Sequence, residues 1–423
     1  MPPAAGFKKL VACGLQLEAS PSVFQGERVK KPLKRIRVLD FTRVLAGPYC
    51  AMMLCDMGAE VIKVERPGTG DDARFFGPFI KGESGYYMSL NRGKKSIALN
   101  LKHKKGKEIV KKLIKKVDIV LENFRPGTME KLGFGYQDIK KINPKIIYAS
   151  TSGYGQTGPI SRMAGYDIVA QAVGGIMSIT GPPNGLPTRV GTSIADILAG
   201  MFTAYGVMIA LYNRGKTGKG AQIDVAMVDS VASVLENAII RYLATGKSPK
   251  PIGSRHPSLA PFDMFKAKDG YMVIAIGNEK LWHSFCQAIG RDDLLKDPRF
   301  INNKKRLKNE RILKSLIERW TRKKTVKKLL VVFNELGIPC GPVNSMERMV
   351  RHPQILFRNM IQEIKHPVAG KIKMAGIPLK MAGFSDKIPG RSPLLGEHTE
   401  EILKKYLRYG PKRIKALKNE GVI

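Results

Sequence analysis

The chain has 423 residues, 43% hydrophobic and 25% charged, the balance of a globular protein of two or three domains. That balance excludes a disordered chain, a collagen-like repeat and a small disulfide scaffold. Lysine and arginine outnumber acidic residues 72 to 35, and a formal charge of +37 favours anionic partners: nucleic acid, a membrane surface or an anionic small molecule.

Residues 1–34 are basic, with Lys8, Lys9, Arg28, Lys30 and Lys31 against Glu18 and Glu27. The apolar stretch 10–15 is too short for a secretory core. The segment reads as a disordered extension of a cytoplasmic protein, or as a weak presequence of a mitochondrial one. Residues 37–41 (RVLDF) then form a strand, and Ala46-Gly47-Pro48 opens a helix that ends at Gly58. Residues 59–65 (AEVIKVE) are a second buried strand. Strand, helix and strand within so few residues make a βαβ unit and imply a parallel, doubly wound sheet. The alternation continues with a helix at 109–117, a strand at 118–123, a helix at 129–141 and a strand at 146–150.

Residues 165–179 read as a helix, closed by the turn cluster Gly181-Pro182-Pro183-Asn184-Gly185. A strand over 188–194 leads into Asp196 and a long apolar helix. The apolar run 197–212 is short for a membrane span and holds Gly200 and Gly206, so it reads as a core helix and no membrane partner is expected. A strand at 221–226 and a helix at 227–243 follow. Four prolines between 249 and 261 mark a linker. Beyond it, 270–277 reads as the antiparallel edge of a smaller α+β unit with helices at 279–290 and 311–336, and the last 60 residues return to short strands and a terminal helix near 402–407. The domain reading is therefore 1–34 extension, 35–245 large domain, 246–345 linker and small domain, and 346–423 return to the large domain.

The charge follows this pattern. Runs such as Lys111, Lys112, Lys115 and Lys116 alternate with Ile109, Val110, Leu113 and Ile114, as on the solvated faces of helices. No zinc-finger spacing or RNA-binding aromatic signature accompanies them, so nucleic acid is not expected as a partner. The five cysteines, Cys13, Cys50, Cys55, Cys286 and Cys340, form no CxxC pair and read as reduced thiols. The six histidines form no HExxH motif and no GxSxG-plus-His set. No metal or redox cofactor is implied.

The turn after the first strand reads Arg43-Val44-Leu45-Ala46-Gly47-Pro48, without the GxGxxG of a dinucleotide-binding enzyme. Arg66 follows the second strand, at the carboxyl end where doubly wound sheets bind ligands. It fits a phosphomonoester such as the 3′-phosphate of coenzyme A, or a surface ion pair with a nearby acid. Asp196 sits where a strand gives way to an apolar helix, with Ser193 just upstream. Its two readings are a helix cap and a carboxylate that attacks a thioester carbonyl. In either, the N–H groups and dipole of the helix would keep it ionised at neutral pH.

Taken together, these segments resemble the class III, CaiB/BaiF-type CoA-transferases. The matching residues include Arg37 to Phe41, Gly58 to Glu65, Asn91-Arg92-Gly93-Lys94-Lys95-Ser96, Glu122-Asn123-Phe124-Arg125-Pro126-Gly127, Tyr166-Asp167-Ile168-Val169-Ala170-Gln171, Gly337 to Val343 and Leu394-Leu395-Gly396-Glu397-His398-Thr399. They run from about residue 35 to the C-terminus. The resemblance implies a Rossmann-like, doubly wound α/β large domain with a smaller α+β domain, in a homodimer of interlocked rings. It implies Asp196 as the nucleophile of a ping-pong exchange, with acyl-CoA and a carboxylic acid as substrates. It also implies coenzyme A contacts at Leu45, Ala46, Arg66, Leu99, Asn100, Leu101, Lys102, Asn123, Phe124, Arg125, Lys131, Gly165, Tyr166 and Asp167. The racemase branch has histidine where Tyr166 stands, and tyrosine, with a reference pKa of about 10, is a poor base there. The formyl and oxalate branch carries a run of glycines absent around Gly253-Ser254-Arg255-His256-Pro257. The chain is most similar to the branch that moves CoA from succinyl-CoA to a dicarboxylate, with Arg255 and His256 expected to meet the distal carboxylate. A 2-methylacyl-CoA racemase and a non-catalytic nucleic-acid binder are the alternatives.

Overall fold

The computed structural model describes residues 31–423, which divide into two compact units. The larger holds residues 31–178, 188–249 and 354–423; the smaller holds 179–187 and 250–353. Residues 1–30, the body of the expected extension, lie outside the described residues. Residues 31–34 belong to the large unit instead: Leu33 is buried, and its N–H donates to the Met57 carbonyl at 3.0 Å.

Six parallel strands form the sheet of the large unit: β1 (Arg37–Asp40), β2 (Glu60–Glu65), β3 (Lys95–Ala98), β4 (Ile119–Glu122), β5 (Ile147–Ser152) and β6 (Ala221–Ala226). Their order is β3-β2-β1-β4-β5-β6, reversing direction of travel at β1 and β4. The inner strands β1, β2, β4 and β5 bury apolar residues on both faces, as a sheet covered on both sides requires, whereas the edge strand β6 exposes Gln222 and Asp224. Leu39, Ile62, Val64, Ile97, Val120 and Tyr148 bury against α2 (Lys104–Ile114). Val38, Val61, Ile119, Leu121, Ile147 and Ala149 bury on the other face, in a core that includes α1 (Ala46–Asp56) and the alanines and Val207 of the long helix. The expected helix at 129–141 is two, Thr128–Leu132 and Tyr136–Ile142, because Gly133 turns left-handed between them at φ 80°. That expected over 165–179 is likewise cut after α3 (Asp167–Val173).

The expected strand at 188–194 is absent, and 188–193 is irregular backbone running into α4 (Ile194–Thr217). Side chains satisfy this segment where a neighbouring strand would. The Val190 N–H donates to Gln171 Oε1 at 2.8 Å, Gln171 Nε2 reaches the Thr192 carbonyl at 3.4 Å, and the Ala195 N–H donates to Asp167 Oδ1 at 2.9 Å.

Two C-terminal helices, α5 (Thr399–Leu407) and α6 (Pro411–Asn419), complete the core over α2 with Ile402, Leu403, Ile414 and Leu417. The second was not legible in the sequence. The chain end then ties to the segment after β3: the Asn100 N–H donates to the carbonyl of Val422 at 2.8 Å, and Asn100 Nδ2 to that of Gly421 at 3.3 Å.

In the smaller unit, β7 (Phe262–Lys266), β8 (Tyr271–Ala275) and β9 (Cys340–Pro342) form an antiparallel sheet ordered β9-β8-β7. The segment expected as an edge is thus the central strand. Met272 and Ile274 point from it into a core of Phe265, Trp282, Phe285 and Phe333. The turn cluster at 181–185, read with the large domain, belongs here: the Gly253 N–H donates to the Gly181 carbonyl at 2.9 Å.

Candidate active site

At the carboxyl ends of β1 and β2, four buried charged side chains set the shape of one loop. Lys63 Nζ lies 2.8 Å from Asp71 Oδ2, and Lys94 Nζ 3.1 Å from Asp40 Oδ2, all four side chains with no solvent exposure. Burial opposes the charge on Lys63, but Asp71, Asp40 and Glu65 around it outweigh burial and raise its pKa. Asp71 is held below its ordinary value because Lys63 outweighs the cost of burying the carboxylate.

This network grips the backbone of residues 42–44. Lys63 donates to the Thr42 carbonyl at 2.6 Å, and the Val44 N–H donates to Asp71 Oδ1 at 3.0 Å. Asn123, at the end of β4, takes Arg43 from both sides: its Oδ1 accepts the Arg43 N–H at 2.7 Å, and its Nδ2 donates to the Arg43 carbonyl at 2.8 Å. Val44 is left at φ 67°, a conformation that costs a β-branched residue about 1–3 kcal/mol. The loop delivers Leu45 and Ala46 to the start of α1, both buried. There α1 meets α4 so closely that a Cβ on Gly200 would lie 2.5 Å from the Ala46 carbonyl oxygen. Gly200 is one turn beyond Asp196.

Of the residues expected to hold coenzyme A, Asn123, Phe124 and Arg66 are joined to this loop through Arg43 and Asp72. Arg66 is exposed and pairs with Asp72 at 3.1 Å. Asp72 also pairs with Arg43 at 2.9 Å, and the Arg43 guanidinium stacks over the Phe124 ring, 5.0 Å from its centre. Arg43 and Asp72 were not singled out in the sequence; Arg43 lies just upstream of the apolar Val44 and Leu45. Phe124 donates its N–H to Glu122 at 2.8 Å, and burial raises the Glu122 pKa to about 7. Arg125, Lys102 and Lys131 are exposed cations on the same unit. Leu99 is buried, Leu101 half-buried, and Asn100 accepts the Lys102 N–H at 3.1 Å.

Asp196 is the third residue of α4. Its position on the helix matches the expectation, but its ionisation does not. Among the described residues no donor or cation bonds to its carboxylate, and burial, followed by the charge of Asp167, raises its pKa from 3.8 to about 7. The Ala195 N–H at the start of the helix donates to Asp167, and the Ser193 side chain makes no cap bond. Asp167 is spent on the protein rather than on a cofactor: its second oxygen accepts Gln171 Nε2 at 2.7 Å. Gly165 is steric, since its Cβ would lie 2.8 Å from the Gly153 Cα. Tyr166 is 73% exposed and free to meet a ligand. Tyr86, which the sequence reading missed, lies in the field of Asp196. Burial first, and then Asp196, push its phenol up to about 12, so it stays a hydroxyl. Its ring packs edge-on against Phe76 at 5.7 Å.

Arg255 and His256 lie on the smaller unit. Arg255 forms a close ion pair with Glu310, and His256 Nδ1 accepts the Ser258 N–H at 3.0 Å. Among the described residues no cluster of His, Cys, Asp and Glu is placed to hold a metal ion.

Residues 33–399 match the family model described as CoA-transferase family III. A human protein named succinyl-CoA:glutarate CoA-transferase is 44% identical over 395 residues, covering 93% of this chain and 90% of its own. An acetyl-CoA:oxalate CoA-transferase of Acetobacter aceti is 44% identical over 380 residues, covering 89% and 96%. A crystal structure of a CaiB/BaiF family protein from Brucella suis, 38% identical, superposes with a TM-score of 0.80 over 89% of this chain and 99% of that one.

Proposed function

From the premise that this chain belongs to CoA-transferase family III, we propose that Asp196 is the nucleophile that carries CoA from succinyl-CoA to a dicarboxylic acid. The enzyme class and the transfer of CoA to dicarboxylic acids rest on relatives of 37–44% identity named for succinyl-CoA, glutarate, oxalate, mesaconate and citramalate. The observation that carries the residue assignment is a half-buried carboxylate at the start of α4 that has no cation or hydrogen bond among the described residues. A carboxylate so poorly solvated is a better nucleophile once ionised, because little water must leave it before attack.

The exchange balances as follows. Asp196 attacks the donor thioester, and CoA thiolate leaves a mixed anhydride. The thiolate returns to the aspartyl carbonyl, releasing the donor acid and leaving an aspartyl-CoA thioester. The acceptor carboxylate attacks that thioester, and the thiolate released then takes the acceptor acyl group, freeing Asp196. Through these steps Arg43 and Arg66, which now share Asp72, exchange that acid for coenzyme A phosphates. The strained loop at Val44 keeps Leu45 and Ala46 in place against α4. A second copy of the chain covers the exposed Met201, Tyr205, Met208, Ile209 and Tyr212 of α4 in a homodimer.

The test is mass spectrometry of the protein incubated with succinyl-CoA and no acceptor, then with glutarate, mesaconate and oxalate. The wild type gains a CoA adduct on the Asp196 peptide and forms a new acyl-CoA; Asp196→Asn does neither. Transfer surviving in Asp196→Asn refutes the assignment.

A further inference from the structure

A dicarboxylic acceptor brings two negative charges to a site that already holds Asp196 and Asp167. The near carboxylate must reach Asp196, and no cation contributes to the charge balance there. The distal carboxylate needs a cation displaced from the reacting atom. Arg255, the sequence's candidate, is committed to Glu310.

Arg189 meets the requirement on the large unit. Its backbone is fixed relative to Asp196, because Gln171 and Asp167 hold the intervening segment at Val190, Thr192 and Ala195. Its guanidinium reaches the same Asp167 that caps α4, but only loosely: Nη2 stands 3.8 Å from Asp167 Oδ2, too far for a hydrogen bond. Nε donates to the adjacent Val190 carbonyl at 3.2 Å. Among the described residues the outer nitrogens make no hydrogen bond, and the side chain is 45% exposed. A half-exposed, loosely paired arginine loses little on leaving its partner. What it offers in exchange is the fork geometry that binds a carboxylate through two parallel N–H donors.

We propose that Arg189 binds the distal carboxylate of the dicarboxylic acceptor and so determines the enzyme's preference for diacids. The assignment rests on the CoA-transferase reading above. It makes Arg189 a specificity residue, whereas a purely structural partner of Asp167 would act on all acceptors alike.

The experiment compares glutarate with pentanoate, acids of equal chain length that differ only in the distal carboxylate. The donor half-reaction is common to both and cancels from the ratio of their kcat/KM values. In Arg189→Gln that ratio falls at least tenfold, as expected for the loss of a charge-assisted pair. In Arg189→Lys, which keeps the charge without the fork, the ratio lies between those of Arg189→Gln and the wild type. A fall of less than tenfold in Arg189→Gln overturns the assignment, including the case in which both acids lose activity together. A wild type that transfers CoA to pentanoate but to no dicarboxylate overturns the diacid reading and this assignment with it. Thermal melts of both variants, expected to match the wild type, separate misfolding from lost recognition.

Discussion

Replacing Asp196 by asparagine should stabilise the protein, and only above about pH 5. Burial, aided by Asp167, lifts this carboxyl from 3.8 to about 7, so the folded chain binds a proton that the unfolded chain has released. A raised carboxyl pKa means that wild-type stability is complete below the unfolded value and declines as pH rises towards the folded one. The full separation corresponds to about 4 kcal/mol, and residual solvent contact brings the expectation to about 2–4 kcal/mol. Asparagine keeps the shape without the charge and shows no such decline. The assay is calorimetry of both proteins at pH 4.5 and pH 8.5, with the packing cost of the substitution cancelling in the double difference. The gap between the melting temperatures should widen by several degrees in favour of Asp196→Asn at the higher pH. A gap that stays constant, or that moves towards the wild type, refutes the claim that this carboxylate is ionised at the cost of folding.

If Asp196 is the nucleophile proposed above, the same reasoning places the acid limb of wild-type kcat/KM near pH 7, because the attack needs the ionised carboxylate. Asp167→Asn retains an oxygen for the Ala195 N–H but removes a charge, so a pH–rate profile should show that limb shifted down, by less than the whole perturbation because burial is the larger cause. Lys63→Met leaves Asp71 buried without its cation and should cost about 3–5 kcal/mol in urea denaturation. It should also raise the KM for acyl-CoA, because Asp71 holds Val44. Gly165→Ala forces a methyl to within 2.8 Å of the Gly153 Cα and should lower stability by about 1–3 kcal/mol, read from the thermal midpoint.

The parallel sheet was legible because its inner strands are short apolar runs with few polar interruptions, such as Val61-Ile62 and Ile119-Val120. The position of Asp196 on a helix was legible for the same reason. The segment at 188–194 misled because β-branched residues there suggested a strand, whereas Gln171 and Asp167 supply its hydrogen bonds from 19 to 28 positions away. No local signal carries that. Nor does one carry the ionisation of Asp196, which depends on burial by the surrounding fold and on Asp167, 29 positions upstream. Arg43 and Tyr86 escaped because their neighbours in sequence are apolar while their neighbours in space are Asp72 and Asp196.

The tie between Asn100 and the last turn of the chain has a bearing on biosynthesis. The two groups are 321 positions apart, and Val422 is wholly buried beside the segment that follows β3. On the ribosome, β1 to β3 and the segment after them must therefore wait, with one flank of their core uncovered, until residues 402–422 have been added. The smaller unit, drawn mostly from residues 250–353, emerges and can close during that interval. The large unit is thus begun before the smaller one and closed only after it, so the arrival of its C-terminal helices sets the moment at which its core is complete.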